Sequence, residues 1–136
     1  MTGRPRIYIA GKFSAQARLR AERDKIQAAR LATVSSSWLA DVNETPEAAV
    51  YCAREHVDRD LREIRQATMV IVDTQDESVT GGREVEIGYA LALGIEVWRV
   101  GPQRNVFHQL LPAFDSWEEA RLALLTLTTS DLEVGQ

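Results

Sequence analysis

The chain has 136 residues, of which 45% are hydrophobic and 26% charged, and its net charge is −4. A chain of this length forms one domain that buries about two thirds of the surface its unfolded form exposes, and its composition excludes a mostly disordered polymer. The acidic balance excludes a general pull toward nucleic acid polymers or anionic membrane, so the expected partner is a small molecule.

Near the N-terminus one short apolar run is broken by Gly11. It is neither a secretory h-region nor a span of about 20 apolar residues, which predicts a cytoplasmic protein. Arg6 to Ala10 reads as a short buried strand, and Gly11 turns it toward an Ala/Arg-rich helix from Ala15 to Ala32, capped by Ser14. Thr33 to Leu39 is a second strand candidate, and Ala40 to Pro46 a polar loop whose proline suits a helix start. Val50, Ala53, Val57, Leu61 and Ile64 then recur at helical spacing on one face. The single cysteine, Cys52, makes no internal disulfide and, with His56, one metal-ligand pair at most, so a structural role and no metal are expected.

Met69 to Asp73 is a continuous apolar strand ending in an acid. A polar loop from Thr74 to Gly82 leads into a helix from about Arg83 to Leu93, which Gly94 closes. Ile95 to Val100 is another buried strand, and Ser116 with Glu119 forms a capping box before a last helix running to about Leu127. Residues 1–128 are thus read as the domain and 129–136 as a C-terminal tail. The alternation of strand and helix predicts an α/β fold, a doubly wound (flavodoxin/Rossmann-like) three-layer sandwich on a mainly parallel five-stranded sheet. Ligands of such sheets sit outside the carboxyl ends of the strands, at the loops after Ala10, Asp73 and Val100.

One acid interrupts the apolar surface of the helix from Arg83 to Leu93. Glu86 shares a face with Ala90 and Leu93, which places its carboxylate at a buried helix beginning. Two readings are open: a first-turn acid favoured by the helix dipole by about 0.3 to 1 kcal/mol, or a nucleophile. Gly81 and Gly82 let the backbone approach a ligand, and a helix N-terminus keeps a partly desolvated carboxylate ionised, as a nucleophile requires. The surrounding Thr80 to Arg83 segment matches neither the P-loop nor the dinucleotide fingerprint, and no cofactor is expected. Lys12, Ser14 and Arg18 read either as a phosphate cradle or as surface charges. His56 and His108 carry no spacing signal and are read as structural.

Four segments, Ile7-Tyr-Ile-Ala-Gly-Lys-Phe-Ser14, Asp60-Leu-Arg-Glu-Ile64, Glu86-Ile-Gly-Tyr-Ala90 and Asn105, together resemble the nucleoside 2-deoxyribosyltransferases and the related deoxynucleoside 5′-monophosphate N-glycosidases. The resemblance implies a two-step displacement with retained stereochemistry. Glu86 would attack the anomeric carbon, the base would leave, and a second base or water would take the sugar. It implies that Tyr8 orients the Glu86 carboxylate, against the alternative of a core tyrosine with a satisfied hydroxyl. It gives Asp60 the task of binding the base and assisting its protonation, against a solvated helix-face acid. Asp73 is the rival acid at the crevice, with an Asx turn as its other reading. The segment Gly11, Lys12, Phe13 and Ser14, with Gly81 and Gly82, would line the substrate site. Asn105 would reach a neighbouring subunit's sugar, or else cap a helix from Val106 to Leu111.

The chain departs from the pattern at Thr80. There the bacterial transferases have an aspartate that contacts the base, and the nucleotide hydrolases a serine that contacts the 5′-phosphate. The leading expectation is a deoxyribosyltransferase acting on a nucleoside or nucleotide and a free nucleobase. A nucleotide N-glycosidase using water is the alternative, and a silent nucleotide-sensing module is a second one. A homodimer or larger homo-oligomer is expected, because Trp98, Phe107 and Trp117 lie toward the site and a small domain can complete its pocket with a neighbour.

Overall fold

The computed structural model describes residues 4–41, 53–77 and 81–134, of which 53 and 128–134 are described by backbone alone. Val50, Cys52 and Thr80 therefore lie outside the described residues. Five strands, β1 (Arg6–Ala10), β2 (Thr33–Val34), β3 (Met69–Asp73), β4 (Glu96–Val100) and β5 (Ala113–Phe114), form one all-parallel sheet in the order β2-β1-β3-β4-β5. The described helices are α1 (Gln16–Ala28), α2 (Ala53–Gln66), α3 (Gly82–Ala92) and α4 (Trp117–Val134). The fold is the expected doubly wound α/β sandwich.

β1, β3 and β4 are buried on both faces beyond the exposed Arg6 and Glu96, because helices cover both. In register, Tyr8 lies beside Val70 and Val97, while Ile9 lies beside Ile71 and Trp98, so the first set faces one layer and the second the other. On the Ile9 face α1 and α4 are joined by Arg121 donating to Glu22. On the Tyr8 face α2 and α3 are joined by Arg65, whose guanidinium donates to the Tyr89 hydroxyl at 3.0 Å. The strand order reverses between β1 and β3, and the crevice opens beyond their carboxyl ends.

Several local expectations are corrected. β2 stops at Val34 and does not reach Leu39, because side chains take over its ladder. The Ile9 N–H donates to Ser36 Oγ at 3.1 Å, and the Trp38 indole N–H donates to the Ile9 carbonyl at 2.7 Å. Ser14 caps no helix: Phe13–Ala15 is a 3₁₀ turn, and α1 begins after Ala15 with no side-chain cap. α1 ends at Ala28 because Arg30 takes a left-handed conformation, φ 58°, that turns the chain toward β2. Ser116 Oγ accepts from the Glu119 N–H at 3.2 Å, as expected, but the Glu119 carboxylate accepts from Asp115 N–H and so completes the box one residue early. α4 runs beyond Leu127 to Val134, since no glycine or proline follows until Gly135. Trp98 and Trp117 are core residues, which removes them from any subunit surface, whereas Phe107 is 66% exposed. No helix among the described residues is long and apolar enough to cross a membrane.

Candidate active site

The site is built where the loop after β1 meets the start of α3. Gly81 precedes α3 with φ 81°, a left-handed conformation that a side chain would disfavour. The helix begins at Gly82, so its first-turn acid is Glu84 and not Glu86. Glu84 is engaged by the fully buried His108, whose Nε2 lies 3.0 Å from Glu84 Oε2 while its Nδ1 accepts the Arg104 N–H at 2.9 Å. Burial alone would raise Glu84, but His108 and Asn105 hold its carboxyl below the usual range. The dipole reading of a first-turn acid thus belongs to Glu84, and Glu86 lies two residues further along, past the first turn. Leu93, the C-cap residue just past α3, is 47% exposed, so the expected buried face does not extend to the end predicted for this helix.

Tyr8, fully buried on β1, donates its hydroxyl to Glu86 Oε2. Burial, reinforced by the Glu86 and Asp60 carboxylates, drives the Tyr8 phenol far upward, so it remains a donor at any working pH. Burial also pushes Glu86 up to about 7, with the Tyr8 hydrogen bond pulling it down and Asp60 adding to the rise. Asp60, on α2, is raised by burial and by Glu63 and Asp41, against the lowering effect of Arg59. Two interacting carboxyls with unequal environments therefore face one cleft, the arrangement from which acid and nucleophile roles arise.

That cleft, of about 210 Å³, is lined by Tyr8, Glu86, Asp60 and Gly82 together with Lys12, Phe13 and Trp38. Phe13 rests against Trp38 with ring centroids 6.2 Å apart, which makes an aromatic wall beside the carboxylates. Gly11 forms part of the lining, and a Cβ there would come 2.6 Å from Leu19 Cδ1, so a side chain at this position would require Leu19 to shift. A second cavity of about 300 Å³, lined by Val57, Leu61 and Val85, meets the first at Asp60, Gly82 and Glu86. Val57 is 53% exposed, so it lines this groove instead of joining the core with Ile64.

Other candidates lie elsewhere. Ser14 is exposed on the 3₁₀ turn. Asp73 is buried on the opposite face of the sheet, where Arg18 grips both its oxygens at 2.9 and 3.1 Å and the Trp117 indole donates at 2.7 Å. Its Oδ1 also accepts the Gln75 N–H at 3.1 Å, which is the Asx turn. Arg18 is thereby drawn to Asp73, Gln75 and Asp76 and away from the cleft. Asn105 caps the 3₁₀ turn Val106–Leu110, accepting from Phe107 and His108 N–H groups at 2.9 and 3.2 Å. The sequence reading missed Arg59, Trp38 and Arg83 as lining residues and left His56, which also lines the cleft, as structural. Only the adjacency of Arg59 to Asp60 offered a signal. Among the described residues no three His, Cys, Asp or Glu side chains converge as a metal site.

A family model described as nucleoside 2-deoxyribosyltransferase matches residues 7–125. A 2-deoxyribosyltransferase from the psychrotolerant bacterium Bacillus psychrosaccharolyticus superposes with a TM-score of 0.66 at 22% identity, covering 85% of this chain and 90% of that one. The CMP N-glycosidase of Clostridium botulinum gives 0.54 at 15% identity over 88% and 97% of the two chains. A 2-deoxyribosyltransferase from Leishmania mexicana gives 0.51 at 21% identity over 71% and 63%. At these identities the structures show a shared fold. None of the curated proteins is similar enough in sequence to match.

Proposed function

The chain belongs to the nucleoside 2-deoxyribosyltransferase family, and from that premise we propose that it cleaves the N-glycosidic bond of a deoxynucleoside through a glycosyl ester on Glu86 and passes the sugar to another base. The observation that carries this reading is the Tyr8 hydroxyl donating to Glu86 Oε2 at the wall of a cleft shared with Asp60. One Glu86 oxygen is thereby oriented while the other can bond to the anomeric carbon. As that bond forms, the C1′–N bond breaks and its electron pair goes to the base nitrogen, which takes a proton from the Asp60 carboxyl. In the second step the acceptor attacks the same carbon, its proton returns to Asp60, and Glu86 leaves as the carboxylate, with net retention. Phe13 and Trp38 supply apolar surface for the flat base.

The second reading, hydrolysis of a deoxynucleoside 5′-monophosphate, is favoured by Lys12 in the cleft facing the start of α3, where a cation and helix N–H groups suit an anion. Incubation of the protein with a deoxynucleoside and a different free base separates the two. A new nucleoside supports transfer, whereas free sugar without one supports hydrolysis. Lys12→Ala should then weaken turnover of the monophosphate about tenfold more than that of the nucleoside. Equal losses on both would discard the phosphate role.

A further inference from the structure

Arg59, in the lining of the cleft, forms ion pairs with two separate acids, Asp41 and Asp60. Its Nη2 donates to Asp41 Oδ2 at 2.8 Å and its Nη1 to Asp41 Oδ1 at 3.3 Å, a two-pronged grip. Its Nε and Nη2 both donate to Asp60, each at 3.2 Å, and both fall on Oδ1. The two acids differ in what holds them. Asp41 ends a stretch pinned from several sides: Gln16 Nε2 donates to the Trp38 and Asp41 carbonyls at 2.7 and 3.1 Å, and Arg20 donates to the Leu39 carbonyl at 3.0 Å. Trp38 itself is tied to β1 through Ile9. Asp60 instead projects between the two cavities beside Glu86.

We propose that Arg59, anchored on Asp41, is a positioning residue that holds Asp60 by Oδ1 and thereby presents its other carboxyl oxygen to the leaving base. The inference rests on the glycosyl-transfer reading of the site. A planar guanidinium with a fork on each edge fixes direction as well as charge, which a single ammonium does not. A carboxyl group on α2 without that brace could turn among its rotamers, and proton delivery depends on hydrogen-bond reach to the base nitrogen. Asp41 has a second effect. It shares the Arg59 charge, so Asp60 is less strongly held as an anion and stays able to carry a proton. The charged and titratable groups facing Asp60 are Arg59 and Glu63 on α2, Asp41 on the loop, Tyr8 on β1, and Glu86 on α3. Lys12, His56 and Arg83 complete the charged and titratable lining of the cleft.

The test has two parts, both on the full chain. Carboxyl NMR titration of Asp60 should show a midpoint raised in Arg59→Gln, which removes the cation, and lowered in Asp41→Asn, which frees the cation for Asp60. A residue that merely supports the fold does not move the midpoint in opposite directions, and shifts of the same sign or none overturn the inference. Secondly, kcat is measured on 2′-deoxynucleosides of one base class whose bases differ in acidity. Arg59→Gln should lose about 10- to 100-fold on the most basic leaving group and under about threefold on the most acidic, with KM changed by under about threefold throughout. Arg59→Lys should restore the titration midpoint but not kcat, because it restores the charge without the fork. A uniform loss across all bases, or full rescue by lysine, overturns the positioning role. Absence of base release from every substrate by the unaltered protein would instead overturn the glycosyl reading, while the two midpoint shifts still decide whether Arg59 governs Asp60.

Discussion

The Tyr8 hydroxyl on β1 donates to Glu86 Oε2 on α3, joining residues 78 positions apart at the carboxyl end of the sheet. Burial raises the Glu86 carboxyl and this bond opposes the rise, leaving it at about 7. Activity that needs ionised Glu86 should therefore fall as pH drops below about 7. Tyr8→Phe should move that acid limb of the kcat/KM profile to higher pH and reduce the value at neutral pH about 10- to 100-fold, the scale of one hydrogen bond to a charge. A limb that stays in place, or moves to lower pH, removes Tyr8 from control of the nucleophile.

The covalent intermediate proposed on Glu86 can be sought directly. A 2-fluoro-substituted arabinosyl substrate carries an electronegative atom that destabilises the oxocarbenium-like second step and lets the ester accumulate. Mass spectrometry of peptides should place the added sugar on the fragment containing Glu86, and Glu86→Ala should lose turnover by several powers of ten with substrate affinity nearly unchanged. Label on Asp60, or activity surviving in Glu86→Ala, would falsify the mechanism.

The same carboxyl has a consequence for stability. Its value rises from 4.5 to about 7 on folding, so the folded state binds the proton more tightly than the unfolded one. The stability linked to this proton is fully present below pH about 4.5 and is lost as pH rises to about 7, a loss of about 3 kcal/mol. Glu86→Gln does not titrate and should show no such decline. Urea unfolding of both proteins at pH 4 and pH 8 should find the variant relatively more stable at pH 8, and an equal difference at the two pH values would contradict the upward shift of the Glu86 carboxyl on folding.

Asp73 provides the contrast. Its carboxylate is occupied by Arg18, Trp117 and the Gln75 N–H on the face of the sheet away from Glu86. Asp73→Asn should cost about 1 to 3 kcal/mol in urea unfolding, because two charged or strong donors lose their acceptor, while kcat and KM of the folded protein change by under about threefold. A large loss of kcat at unchanged stability would return Asp73 to the substrate site.

The sequence by itself determined the layered α/β class, the central strands Arg6–Ala10, Met69–Asp73 and Glu96–Val100 to within a residue, and Glu86 as the acid out of place on an apolar helix. These are properties of a single element, and hydrophobic period or a continuous apolar run reports them directly. The two-residue β5 and the early end of β2 escaped because so short a strand has no period, and because Ser36 and Trp38 replace ladder bonds with side-chain ones. Only the tertiary structure decided which acid each donor serves. Periodicity says which face of its own element a residue occupies, but not which element is packed opposite. Register between β1 and β3, and the placing of α2 and α3 on one face with α1 and α4 on the other, gave Arg18 and Trp117 to Asp73 and Arg59 to the gap between Asp41 and Asp60, and formed the Tyr8–Glu86 bond that only the family resemblance had implied.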